Sequence, residues 1–257
     1  MLGGSFVFMW TSSLDFILLR AVLKEPMEVG FYSAGIRIPQ LIQGLILAPL
    51  STPFTYYFTH PETLHTREQI LKLGTKILSF VCAIISLGLF SFGGIVVRMF
   101  YGKFYLESIP ILQTYSFVFF LFGMFSLFVP FLVAIDKPGE IVQISIVSTI
   151  AIALLDYFWL IPKYHSIGPA LANIAILVLQ NCYALYRLNQ HQINIVKQNI
   201  LMMALVLASV LIEKFFIPFS SILFFIISVL VFQLFNKDEI NKIERLLFSK
   251  EEKLNTA

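Results

Sequence analysis

Asp15 and Arg37 pose the chemical question in this sequence. Both fall inside long apolar runs, and burying a charge in hydrocarbon costs at least ~2.5 kcal/mol on insertion scales. Such a group needs a partner, a proton or a watery cavity. Asp15 stands about eight residues before the end of the first run and Arg37 about eight after the start of the second. At ~1.5 Å rise per residue, both sit about 12 Å below the same membrane surface. A short turn at Pro26 and Gly30 makes the two runs antiparallel neighbours, which can bring the groups together. Two chemistries fit. In one, Arg37 binds an anionic head group and Asp15 is its counter-ion or an ion-coupling carboxylate. In the other, they form a structural ion pair that fixes helix packing.

Ser33, Arg37, Gln40 and Gly44 recur at helical spacing and share one face. A polar stripe on a membrane helix points into a bundle or a cavity, so Ser33, Arg37 and Gln40 are candidate substrate contacts. Gly44 permits close helix approach. Arg20 lies nearer the helix end and can snorkel to the interface. Asp156 shares a face with Ser145 and Thr149, but its closeness to Pro162 predicts a solvated or locally paired group near the interface. Asn173 and Gln180 share a face of their own, which suits interhelical hydrogen bonds. Asn173 is also a candidate cavity contact.

No enzyme constellation accompanies these groups. The sequence has no glycine-rich phosphate loop and no metal-ligand spacing, and His60, His65, His165 and His191 fall in loops. The expectation is a protein that is not an enzyme, with no catalytic residues, no metal and no cofactor. Cys82 and Cys182 both lie in apolar runs and read as small hydrophobes packed in helices, not as a disulfide framework.

The elements that must position these groups are membrane helices. The chain has 257 residues, 58% hydrophobic and only 13% charged, with mean hydropathy +0.84. Soluble domains carry roughly 25% charged residues, so this chain has too little polar surface to cover a water-soluble fold. A net charge of +3, dispersed along the chain, does not suit nucleic acid. The predicted architecture is all-α: an integral membrane bundle of about eight spans, each needing ~20 apolar residues. The expected spans cover residues 4–23, 29–57, 77–96, 109–134, 141–161, 168–188, 200–217 and 220–234. A polar stretch from His60 to Lys72 and an interfacial aromatic connection from Met99 to Glu107 lie between them. The first apolar run has no basic segment before it, so it reads as a retained span, not a cleaved signal.

Orientation follows the distribution of Lys and Arg. The side of the termini carries Arg67, Lys72, Lys76, Lys137, Arg187, Lys197 and the basic residues of the tail. The other side carries Arg20, Lys24, Arg98, Lys103, Lys163 and Lys214. The bias places both termini in the cytoplasm.

Several segments resemble a known family. Asp15-Phe16-Ile17-Leu18-Leu19, followed by Val29-Gly30-Phe31-Tyr32-Ser33-Ala34-Gly35-Ile36-Arg37-Ile38-Pro39-Gln40, looks like the seventh and eighth helices of polysaccharide-unit flippases of the multidrug/oligosaccharidyl-lipid/polysaccharide exporter superfamily. Phe100-Tyr101-Gly102-Lys103-Phe104-Tyr105 resembles the family's "lyGxxy" element. Leu160-Ile161-Pro162-Lys163-Tyr164 with Ile167-Gly168-Pro169-Ala170 resembles its "LIPxyGixGAA" turn, with His165 in place of a glycine, Pro169 in place of an alanine and Asp156 where Asn is frequent.

The resemblance implies the carboxy-terminal lobe, helices seven to fourteen, of a MATE-like flippase with ~12–14 helices in two lobes. It implies a lobe over residues 1–190, two additional transmembrane helices over 191–235 and a charged cytoplasmic tail over 236–257. The implied function is translocation of lipid-linked oligosaccharide or polysaccharide repeat units across the cytoplasmic membrane by alternating access. Arg37 would hold the pyrophosphate, and Gln40, Ser33 and Asn173 would meet sugar hydroxyls. Asp15 would couple transport to an ion. The partners implied are the bilayer, the lipid pyrophosphate substrate and an amino-terminal lobe supplied in cis or in trans. A lipid II or multidrug exporter is the alternative within the superfamily. A truncated, non-transporting remnant or scaffold is the alternative outside it.

Overall fold

The computed structural model describes residues 2–60, 66–190, 195–215 and 220–231. Every regular element among them is helical: α1 (Leu2–Leu23), α2 (Pro26–Thr59), α3 (Arg67–Tyr101), α4 (Ile109–Phe125), α5 (Phe128–Ala134), α6 (Pro138–Leu155), α7 (Ile161–Tyr164), α8 (Gly168–Gln190), α9 (Val196–Phe215) and α10 (Ser220–Val231). A helix satisfies its own backbone donors and acceptors, the condition for crossing hydrocarbon. Three stretches, Arg67–Tyr101, Lys103–Ala134 and Pro138–Gln190, are long and apolar enough to span a membrane. The protein is an all-α membrane helical bundle, and the described helices overlap the expected spans. The charged tail expected over 236–257 lies outside the described residues.

Three departures from the expected spans have local causes. The polar stretch before the third span is partly helical, because α3 begins at Arg67. Lys76, expected in a loop, is therefore carried into the bundle and is buried. The fourth span is broken at Ser126 and Leu127. Pro130 removes a backbone donor, and its ring conflicts with the carbonyl four residues earlier, at Ser126. The fifth span ends in a π turn, Asp156–Leu160, whose wide register lets the Ile161 N–H reach back to the Asp156 carbonyl. Pro162 follows directly and offers no N–H. By contrast, α2 runs unbroken through Pro39, Pro49 and Pro53.

The chain divides into two compact units, Met1–Met202 and Met203–Ala257. In the first, α3 and α4 form the central pair. Leu78, Cys82, Leu87, Leu112, Phe119 and Phe120 are buried there. Glycine permits the close approach: a Cβ on Gly123 would meet the Cys82 side chain, with the Cys82 Cβ at 2.7 Å. Ser86 Oγ donates to the Ser116 carbonyl at 2.7 Å, and Gln113 Nε2 donates to the Phe90 carbonyl at 3.0 Å. α8 packs on α4, where Asn181 Nδ2 donates to the Leu121 carbonyl at 3.1 Å. α1 packs on α6 and α2. Much of α6 is open, with Val142, Ile146, Val147, Ile150 and Leu154 exposed, as a lipid-facing helix requires. In the second unit, Ser221 of α10 hydrogen-bonds Glu213 of α9.

Candidate functional site

α1, α2, α8 and the π turn that follows α6 bring their polar residues to one buried place. α1 presents Asp15, which is 3% exposed. Its Oδ2 accepts from Tyr32 Oη of α2 at 2.7 Å and from Asn173 Nδ2 of α8 at 2.9 Å. The Asn173 amide also donates to the Pro169 carbonyl at 2.8 Å. Tyr32 is fully buried, and its ring meets Phe16 of α1 edge-on at 5.4 Å. Tyr115 of α4 is within electrostatic reach of Asp15, and the Gln40 amide approaches its hydroxyl at 3.5 Å.

Asp156 completes the cluster. It opens the π turn that packs against both α1 and α8, and it is completely buried. It lies within electrostatic reach of Asp15. Asp15 Oδ1, Asp156 Oδ1 and Asp156 Oδ2 have no hydrogen-bond partner among the described residues. Two carboxyl groups at this depth do not hold full charge without compensation. The arrangement can take up a proton or a small cation, and oxygen donors suit hard cations. No group of three His, Cys, Asp or Glu side chains that could hold a metal ion occurs among the described residues.

The second helix divides its polar residues between two surroundings. Arg37 is exposed and makes no ion pair with Asp15; Asp15 takes Tyr32 and Asn173 instead. The reason is angular. Arg37 follows Tyr32 by five residues, about 140° around a helix of ~3.6 residues per turn. When Tyr32 faces Asp15, Arg37 faces away. Gly44 is exposed with Arg37, and Ser33 and Gln40 are half-buried at the edge of that face. Leu41 at 57% and Leu45 at 75% exposure share it. The expectation of a solvated or locally paired Asp156 is overturned: the residue is completely buried at the start of the π turn, and neither oxygen has a hydrogen-bond partner among the described residues. Asn173 and Gln180 do make interhelical hydrogen bonds, Gln180 Nε2 donating to Ser148 Oγ at 2.7 Å. Of the two cysteines, Cys82 is buried, while Cys182 is exposed and is not a packed core residue.

Tyr32 and Tyr115 were not among the expected site residues. Tyr32 did carry a signal, because it sits in the family-like segment beginning Val29-Gly30, one residue from Ser33. Glu28, in the first turn of the same helix, accepts from the backbone N–H of Ser166 at 3.3 Å and ties α2 to the turn ahead of α8. That turn holds His165 at φ +53. Gly168 follows, where a Cβ would fall 2.7 Å from the Leu160 carbonyl carbon. The glycine allows the start of α8 to approach the π turn closely.

The helix order and packing match a solved structure, the lipid II flippase MurJ in an inward closed conformation, with a TM-score of 0.68. The superposition covers 90% of this chain and 52% of that one, at 17% identity. The two chains share a fold over that stretch. This chain thus spans about half the length of the flippase it resembles. No protein-family model matches the sequence, and no curated protein matches it.

Proposed function

We propose that the chain forms one lobe of a flippase that carries a lipid-linked oligosaccharide or polysaccharide repeat unit across the cytoplasmic membrane by alternating access. The observation that carries this reading is the fold shared with a flippase over nine-tenths of the chain. Arg37 supports it, standing exposed partway along α2 on a face that also holds Gly44, Leu41 and Leu45. An uncompensated guanidinium at that depth is costly unless water or an anion meets it. A pyrophosphate is such an anion, and the planar guanidinium can bind it through two hydrogen bonds. Gln40 and Ser33, at the margin of the same face, are placed to meet sugar hydroxyls. A second lobe, in cis or in trans, would close the pathway, with both termini in the cytoplasm.

Asp15 is the proposed coupling residue, taking up H⁺ or Na⁺. Asn173 belongs to that buried site through its hydrogen bond to Asp15, and is assigned to coupling instead of sugar contact. Replacing Arg37 with Ala in the assembled transporter should cut surface polysaccharide at least tenfold at unchanged protein level. Normal export from that variant would sink the assignment. The name of the structural neighbour favours a second substrate, lipid II, which is also a lipid pyrophosphate. Complementation separates the two. Rescue of a cell depleted of its lipid II flippase selects the second reading, and rescue of polysaccharide export selects the first.

A further inference from the structure

The polar side chains joining α6 to α8 follow a register. Glu140 pairs with Arg187 near one membrane surface, and Ser148 accepts from Gln180 deeper in. The step is eight residues along α6 and seven back along α8, as antiparallel helices require. The same step taken again joins Asp156 to Asn173. The helices touch at that level, because Ile152, Ala172 and Ile176 form one buried cluster there. Yet the third rung is open. Both Asp156 oxygens lack a partner among the described residues, while Asn173 directs its amide to Asp15 Oδ2 and the Pro169 carbonyl. A side-chain amide nitrogen carries two hydrogens. Three acceptor groups, the Asp15 and Asp156 carboxyl groups and the Pro169 carbonyl, therefore compete for two donor hydrogens.

We propose that Asn173 is a two-position latch, its amide bonding Asp15 of α1 in the conformation described and Asp156, at the end of α6, in a second one. In the second position the amide keeps the Pro169 carbonyl, completes the α6–α8 ladder and lets go of α1, which Tyr32 alone then holds at this level. The two positions exchange one carboxylate hydrogen bond for another, so neither dominates by bond count. The π turn beneath Asp156 supplies the adjustment, since such turns take up a residue of register inside a helix. The inference rests on the transport reading only for its use: release of one helix from a lobe is a step that alternating access can exploit.

Spin labels test the latch in the full chain, in lipid nanodiscs without substrate. Ile17→Cys on α1 and Leu179→Cys on α8 are the label sites, 61% and 63% exposed in the parent chain. Cys182→Ser removes the exposed native thiol, and Cys82 is buried. The parent chain should give two distance components. Asp156→Leu should lower the longer component at least fivefold, and Asn173→Leu should raise it at least fivefold. Asp156→Asn keeps an oxygen acceptor in a similar shape and should retain both components, which leaves a readable variant if Asp156→Leu does not insert. A single component in the parent chain, or an unchanged distribution in Asn173→Leu, overturns the latch. Substrate is absent, so these distances decide the latch whether or not the chain transports; export by the parent chain decides the other question separately.

Discussion

The Tyr32 hydroxyl holds the only phenolic hydrogen bond to Asp15 among the described residues. Tyr32→Phe deletes that hydroxyl and keeps the ring that packs on Phe16. A hydrogen bond to a charged group in a soluble protein contributes ~1.5–3 kcal/mol, whereas side-chain bonds between membrane helices average ~0.6 and reach ~1.7. Here both partners are buried, and the second oxygen of Asp15 already lacks a donor among the described residues. The upper part of the membrane range applies, about 1–1.7 kcal/mol. Unfolding in detergent should show that loss for Tyr32→Phe and much less of it in an Asp15→Leu background. Equal losses in both backgrounds would assign the effect to ring packing. Asp15 was legible in the sequence because a carboxylate in an apolar run needs an explanation. Its partners were not. Tyr32 is 17 residues away and Asn173 is 158 away, and apolar periodicity does not say which helix faces which. The pairing of Asp15 with Arg37 failed because a shared depth leaves the direction around the helix axis open.

Helices read well from composition, and their interruptions read poorly. Apolar runs located the described spans, but the break at Ser126 and the π turn at Asp156 depend on which carbonyl each proline displaces, and α2 keeps its course through three prolines. The turn before α8 offers a direct test. His165 sits at φ +53, ψ −132, a region that suits glycine. Such strain costs of order 1–3 kcal/mol, and glycine gives back ~0.5–1 through its freer unfolded state. His165→Gly should therefore stabilise the chain by about 1 kcal/mol, read as a higher midpoint of thermal unfolding. A lower midpoint would mean that the exposed imidazole contributes more than the backbone strain costs. Packing makes the opposite prediction for Gly123 in α4. Gly123→Ala drives a methyl into Cys82, and overpacking of this kind costs ~1–3 kcal/mol. Gly88 in α3 has nothing within 4 Å of the same added atom, so Gly88→Ala should be neutral or stabilise by up to ~1 kcal/mol. Gly123→Ala should lower the unfolding midpoint, and Gly88→Ala should leave it unchanged or raise it.

At the scale of the molecule, α6 and α2 present unlike surfaces. α6 shows an apolar face of Val, Ile and Leu, as lipid contact requires. α2 shows a face that contains Arg37, which lipid does not favour. The alternation of long apolar helices fixes the relative sides of the connections. α3 and α4 meet at Lys103–Ser108, and α6 and α8 meet at Tyr164–Ile167, so both connections lie at the same membrane surface. The connection between α5 and α6, with Asp136 and Lys137, lies at the other surface. Aromatic side chains at the first level, Phe100 at 65%, Phe104 at 66% and Trp159 at 60% exposed, form the girdle expected where a helix bundle meets head groups. In the orientation proposed from the distribution of Lys and Arg, that surface is the outer one. Single cysteines at Lys103, Lys163 and Lys137, in a Cys182→Ser chain, should report it in intact cells. A membrane-impermeant thiol reagent should modify the first two at least tenfold faster than the third. Faster modification at Lys137 would invert the protein in the membrane, and equal rates at Lys103 and Lys137 would place the two connections on one side and undo the helix alternation itself.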